Sequence, residues 1–108
     1  MLVGFTYYLV MQRKKAIMNQ SEIEHLLMGV VREIQILSGR KDVDVTPDTC
    51  PILDVPGFDS LNGVEATIDV LARLKLTLEA NNVFADDSGA LTIREAAAKL
   101  FQHVESKS

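Results

Sequence analysis

A serine that opens a helix is the group in this chain best placed to do chemistry. In "PGFDSLNGVEATIDVLARL", from Pro56 to Leu74, a Pro-Gly-Phe turn runs into Asp59-Ser60-Leu61 and then into a helical pattern. Leu61, Val64, Ile68 and Leu71 recur there at three- and four-residue steps, which predicts one apolar face. The first turn of a helix carries N–H groups without intrahelical partners and the positive end of the macrodipole. A hydroxyl in that turn sits where a bound or attached phosphate is favoured. Serine also starts many helices simply as a cap, so spacing alone leaves that plainer reading open. Asp59 competes for the capping task, because its carboxylate suits the N-cap and complements the positive helix end.

The remaining reactive residue types point away from catalysis. A self-sufficient enzyme needs a nucleophile with a base, a carboxylate pair in a pocket, or a metal. The chain has no Gly-rich phosphate loop, no G-x-S-x-G elbow and no H-E-x-x-H. His25 falls within a helical stripe and His103 near the C-terminal end, too far apart in sequence to suggest a metal site. The single cysteine, Cys50, excludes an intramolecular disulfide and a cysteine-based zinc cluster, reads as a packing residue, and suits a reducing cytoplasm. Asp42-Val-Asp44 opens like a calcium loop. Pro47 stands where that loop requires Gly, however, and Leu53 where it requires Glu, so calcium binding is rejected. The expectation is a chain that is not itself an enzyme and holds no metal.

The elements that must position Ser60 are legible as helices. Ile23, Leu26, Leu27, Val30, Val31, Ile34 and Leu37 form one stripe, Ser21 with Glu24 fits a capping box, and Gly39 is a stop, predicting a helix from Ser21 to Ser38. The connection 39–58 holds three prolines and no sustained period; loops of such length in compact domains are often functional. The next helix starts at Asp59 or Ser60, with Gly63 tolerated in its first turn. A short helical turn is expected around Glu79 to Phe84, followed by the turn cluster "ADDSG". Thr92 and Glu95 form another capping-box pattern ahead of a last helix with the stripe Ile93, Ala96, Ala97, Leu100, Phe101 and Val104. No segment alternates convincingly as a strand. The predicted class is all-α: three main helices, one short helix and a long loop after the first.

Totals bound the partners. At 108 residues, 47% hydrophobic and 24% charged, the chain describes one ordinary globular domain. From Met18 onward there are eight basic against fifteen acidic residues, and between Asp42 and Asp69 seven carboxylates with no Lys or Arg. Such a surface repels nucleic acid and attracts basic proteins. The first eleven residues are mostly apolar and precede Arg13, Lys14 and Lys15. That run is too short to span a bilayer, which takes about twenty residues, and its charge order is the reverse of a secretory signal. Residues 1–17 are expected to be an extension, disordered or upstream of a natural start at Met18, with the domain occupying 18–108.

With these elements in place, "GFDSLNGVEATIDVLARL" resembles the phosphopantetheine attachment segment of acyl carrier proteins, whose hallmark is Asp-Ser-Leu at the start of the second helix. Asp59, Ser60 and Leu61 match the motif, Gly57, Val64 and Glu65 match around it, and the similarity runs from Ser21 to about Val104. The resemblance implies an acyl-carrier-like four-helix bundle. It further implies that a phosphopantetheinyl transferase, using coenzyme A and magnesium, joins 4′-phosphopantetheine to Ser60, with Asp59 and Leu61 forming the attachment site. The arm's thiol would hold acyl groups as thioesters for a dedicated lipid, fatty-acid or polyketide-type pathway. Asp54, Asp59, Glu65 and Asp69 would meet basic patches on loading, transfer and condensing enzymes. Leu61, Val64, Ile68, Leu71, Phe84 and Ile93 would shelter the start of an acyl chain. The implied protein is a cytoplasmic monomer without membrane insertion or nucleic-acid binding. Asn62 departs from the family, where an acidic residue is common, as do Arg73 and Lys75 where fatty-acid-synthesis carriers are acidic. These departures favour a specialised carrier over one serving housekeeping fatty acid synthase enzymes. Two alternatives stand: a peptidyl or D-alanyl carrier, for which "VPGFDSL" lacks the paired glycines, and a helical adaptor that is never modified.

Overall fold

The computed structural model describes residues 18–79 and 81–107, so the expectations for residues 1–17 lie outside the described residues. The chain is mostly helical: α1 (Gln20–Leu37), α2 (Pro51–Asp54), α3 (Ser60–Leu74) and α4 (Ile93–Lys107). Between α3 and α4 lies a two-residue antiparallel hairpin, β1 (Ala85–Asp86) and β2 (Gly89–Ala90).

Asn19, not Ser21, caps α1. The Asn19 side chain accepts from Glu22 N at 2.8 Å, while Asn19 N donates to Glu22 Oε1 at 2.9 Å. The same pattern of polar residue and glutamate three apart occurs twice, two residues out of step, and the earlier pair takes the helix end. The expected stop holds. Gly39 sits at φ +70°, Gly39 N donates to Ile36 O at 3.0 Å, and Arg40 N to Gln35 O at 2.9 Å, which is a Schellman closure. Ile23, Leu27, Val30 and Val31 are buried as the stripe predicts, but Leu37 is 79% exposed. Gln35, 1% exposed, turns inward in the last turn of the helix instead. Its amide can go there because both ends are bonded: Nε2 to Pro56 O at 3.0 Å and Lys41 O at 3.3 Å, and Oε1 to Arg40 at 3.1 Å.

The short helix is not at the expected place around Glu79 to Phe84. Among the described residues, Glu79 and Asn81–Phe84 carry no helix; α2 lies instead within the 39–58 connection, where Pro51 occupies N1 and the Asp54 carboxylate accepts from Cys50 N at 2.7 Å. The 82–84 backbone is held by side chains. Phe84 N donates to Asn82 Oδ1 at 2.9 Å, an Asx turn, and Val83 N to Thr67 Oγ1 at 2.8 Å. The "ADDSG" cluster does form a turn, closing the hairpin with Ser88 N on Asp86 Oδ1 at 2.9 Å.

The main helix that carries Ser60 is rotated from its expected face. Gly63, Ala66, Thr67 and Val70 are buried, whereas Leu61 and Ile68 are 68% and 69% exposed and Val64 and Leu71 only half-buried. The largest apolar residues marked the wrong side, because the inner face is built from small ones. A Cβ at Gly63 would lie 2.4 Å from Asn82 Nδ2, so the Asn82 side chain lies directly on the helix there. Thr67 fits the core with its hydroxyl bonded both ways, donating to Gly63 O at 2.7 Å and accepting from Val83 N.

α1 packs against both α3 and α4. The last helix follows its expected pattern: Thr92 N bonds Glu95 Oε1 at 2.9 Å, Glu95 N bonds Thr92 Oγ1 at 3.1 Å, and Ile93, Ala96, Ala97, Leu100 and Val104 are buried. Phe58, just ahead of α3, meets Phe84 edge to face, with ring centroids 5.8 Å apart and planes at 86°. That contact ties the approach to Ser60 into the core.

Candidate functional site

The turn before Ser60 is fixed by its residue types. Val55-Pro56-Gly57-Phe58 closes with Phe58 N on Val55 O at 3.0 Å, with Pro56 at the first central position and Gly57 at φ +80° at the second, a type II turn. Gly57 is required twice: by its φ, and because a Cβ would lie 2.6 Å from Arg40 Cδ. The chain then extends through Asp59, at φ −106° and ψ −172°, into the first helical residue, Ser60.

Asp59 caps the helix, its Oδ1 accepting from Asn62 N at 3.0 Å, while Asn62 Oδ1 accepts from Asp59 N at 3.3 Å. Of the four N–H groups that a helix start leaves without intrahelical partners, these two residues answer two. The others belong to Ser60 and Leu61, which are both exposed. Ser60 is therefore not the cap, and a plain capping role does not account for it.

Asn62 is buried and uses its whole side chain: besides the capping box, its Oδ1 accepts from Arg40 at 3.0 Å and its Nδ2 donates to Glu65 at 2.9 Å. A carboxylate here would lack the donor and would face Glu65 with like charge. This explains locally why an amide stands at the position. Arg40 bridges Gln35 and Asn62, linking the end of α1 to the start of α3, and sets a guanidinium beside that start. Sequence reasoning passed over Arg40, Gln35 and Asn82, which show no periodicity and lie in or beside loops. The signal available was that Arg40 follows a helix-stopping glycine, a position where the chain doubles back.

Each of the four acidic residues expected to meet partners has an intramolecular task. Asp54 bonds Cys50 N, Asp59 caps α3, Glu65 accepts from Asn62, and Asp69 holds Arg73 through two bonds of 2.9 and 3.2 Å. Arg73 also reaches Glu33 at 3.5 Å, and its pKa is raised, first by the hydrogen bonds it donates to Asp69. Asp69 is thus largely answered within the molecule, whereas Glu65 and Asp59 remain exposed beside Ser60. Burial pushes the Cys50 thiol up, against a lowering by the Leu53 N–H, so at neutral pH it stays protonated. His25 is exposed, and among the described residues no group of three or more His, Cys, Asp or Glu side chains could hold a metal ion. No helix of the described residues is long and apolar enough to cross a membrane.

Of the six residues expected to shelter an acyl chain, Phe84 and Ile93 are core, Val64 and Leu71 half-buried, and Leu61 and Ile68 turned to solvent. Leu61 and Ile68 thus face away from the core that holds Phe84 and Ile93. A cavity of about 180 Å³ lies elsewhere, between α4 and the segment that connects α3 to it, and none of the six lines it.

Fold and site together define a small, mostly helical domain that displays a serine hydroxyl at a helix start capped by its neighbours. Comparison with protein-family models, curated proteins and solved structures found no match.

Proposed function

We propose that this chain is an acyl carrier of acyl-carrier-like four-helix fold, loaded at Ser60. The observation that carries the reading is that Ser60 stands exposed at the first position of α3 while Asp59 and Asn62 do the capping. In the loading step the Ser60 oxygen attacks the β-phosphorus of coenzyme A. A new P–O bond forms, the pyrophosphate P–O bond breaks, adenosine 3′,5′-bisphosphate leaves, and the hydroxyl proton passes to solvent or to a base of the transferase. The Ser60 and Leu61 N–H groups and the positive end of the α3 dipole would favour the phosphodiester so formed. The Arg40 guanidinium, bonded to Asn62 Oδ1, adds a positive charge beside the start of α3. The thiol of the arm then carries acyl groups as thioesters.

The exposed pair Leu61 and Ile68, one turn either side of Glu65, supplies an apolar and acidic face for the enzymes that load and unload the arm. The same face supports the second reading, an unmodified adaptor, since a docking helix needs no prosthetic group. Production of the protein alongside a broad-specificity phosphopantetheinyl transferase separates the two. The carrier reading expects the proteolytic peptide spanning Ser60 to bear phosphopantetheine. A folded protein whose Ser60 peptide is unmodified points to the adaptor.

A further inference from the structure

Asn62-Gly63 is the one Asn-Gly step in the chain; the other asparagines, Asn19, Asn81 and Asn82, precede Gln, Asn and Val. An asparagine before glycine is chemically self-reactive. The next backbone nitrogen can attack its Cγ, and glycine has no Cβ to hinder the approach. The fold engages both reacting groups elsewhere. Gly63 N donates to Asp59 O at 3.0 Å, the first bond of α3. The Asn62 side chain runs the other way, towards the helix start, as helical side chains do. Its Oδ1 accepts from Asp59 N at 3.3 Å and from Arg40 at 3.0 Å, and its Nδ2 donates to Glu65 at 2.9 Å. The residue is buried, yet it lies in the first turn of α3. Helix ends fray, and such a turn opens locally without the domain unfolding.

We propose that Asn62 is a modification site gated by this hydrogen-bond set: opening the first turn of α3 lets Gly63 N close on Asn62 Cγ, and the residue deamidates. The Gly63 amide proton passes to solvent, a bond forms between Gly63 N and Cγ, and the Cγ–Nδ2 bond breaks as ammonia leaves with a proton from water. Water then opens the five-membered imide at either carbonyl, leaving aspartate or isoaspartate at position 62. Water is the one co-reactant. The change is one-way. Aspartate loses the donor to Glu65 and faces it with like charge, and isoaspartate adds a backbone methylene inside the first turn. Both products weaken the bonded set beside Ser60. Asp59, Arg40 and Glu65 thus set the lifetime of this end of α3, and they do so whether or not Ser60 is modified.

The test incubates the folded full chain, the same chain in unfolding urea, and folded Asp59→Ala and Arg73→Ala in mildly alkaline buffer. Conversion is read on the proteolytic peptide that holds Asn62, as the mass gain of an amide becoming a carboxyl. Isoaspartate is detected by its enzymatic methyl esterification. The unfolded chain should convert at least about tenfold faster than the folded parent, a factor that corresponds to about 1.4 kcal/mol of opening. Asp59→Ala should convert several-fold faster than the parent, and Arg73→Ala, at the far end of α3, at the parent's rate. Urea short of the unfolding transition should leave the parent's rate unchanged, because fraying one turn exposes little surface. This series decides the matter by itself if Asp59→Ala does not fold. Equal rates in the folded and unfolded chain would overturn the gating. Equal rates in Asp59→Ala and the parent, equal acceleration in both variants, or a parent rate that climbs with low urea would overturn the role of the cap. No conversion at Asn62 in the unfolded chain would overturn the site itself.

Discussion

The two ends of α3 are built to different standards. At its start, Asp59, Asn62, Arg40, Gln35 and Gly57 form one connected set of hydrogen bonds and close contacts around the residue before and after Ser60. At its finish, Lys75 adopts a left-handed conformation, φ 56° and ψ 42°, without being glycine, and Arg73 is held by exposed ion pairs to Asp69 and Glu33. One end is over-determined and partly buried; the other is strained and solvated. The difference teaches where rigidity is needed. On the carrier reading, a hydroxyl that a transferase must find has to be held in one place, whereas the far end only has to stop.

Substitutions that break this contrast should rank accordingly. Asn62→Ala removes the reciprocal cap and leaves Arg40 and Glu65 without a shared partner. It should cost about 2–3 kcal/mol in urea unfolding, from a lost cap and stranded polar groups. Gly57→Ala forces a Cβ into the left-handed region and pushes Arg40 aside, and should cost about 1–2 kcal/mol by the same measurement. Lys75→Gly relieves the reverse strain and should stabilise by about 1 kcal/mol, raising Tm by about 4–8 °C in thermal unfolding followed by circular dichroism. Arg73→Ala, at exposed pairs, should change stability by less than about 0.5 kcal/mol, and less still in high salt. A larger loss at Arg73 than at Asn62 would invert the comparison. For tests of partner charge, Lys75 is the cleaner site, because Arg73→Glu would set a third carboxylate beside Glu33 and Asp69.

Helix existence was legible in the chain because 3.6-residue periodicity and capping pairs are local signals. α1 and α4 show their stripes, Gly39 its stop and Thr92 its box. The face of α3 was not legible. Its inner residues, Gly63, Ala66 and Thr67, are small and in part polar, chosen for the close approach of Asn82 and Val83, and a reading by hydrophobic size selects Leu61 and Ile68 instead. The short helix was misplaced for a related reason. A helical turn was expected around Glu79 to Phe84, but Thr67 and Asn82 take the N–H groups of Val83 and Phe84, and Thr67 lies sixteen residues from Val83. Of the site, the Asp59 cap was visible from types and spacing, whereas Ser60 stood out from an ordinary helix-starting serine only through the resemblance. Arg40, Gln35 and Asn82 were not visible, since what defines them is which carbonyl or amide they reach across the fold.

The central claim is that Ser60 is displayed for modification and not for capping. The most direct measurement is the intact mass of the protein after incubation with coenzyme A, magnesium and a broad-specificity phosphopantetheinyl transferase, beside folded Ser60→Ala with its Asp59–Asn62 cap retained. The account predicts one added phosphopantetheinyl group on the parent and none on the variant, with the two proteins unfolding at closely similar urea concentrations. No addition to the folded parent, or equal addition to both proteins, would contradict it.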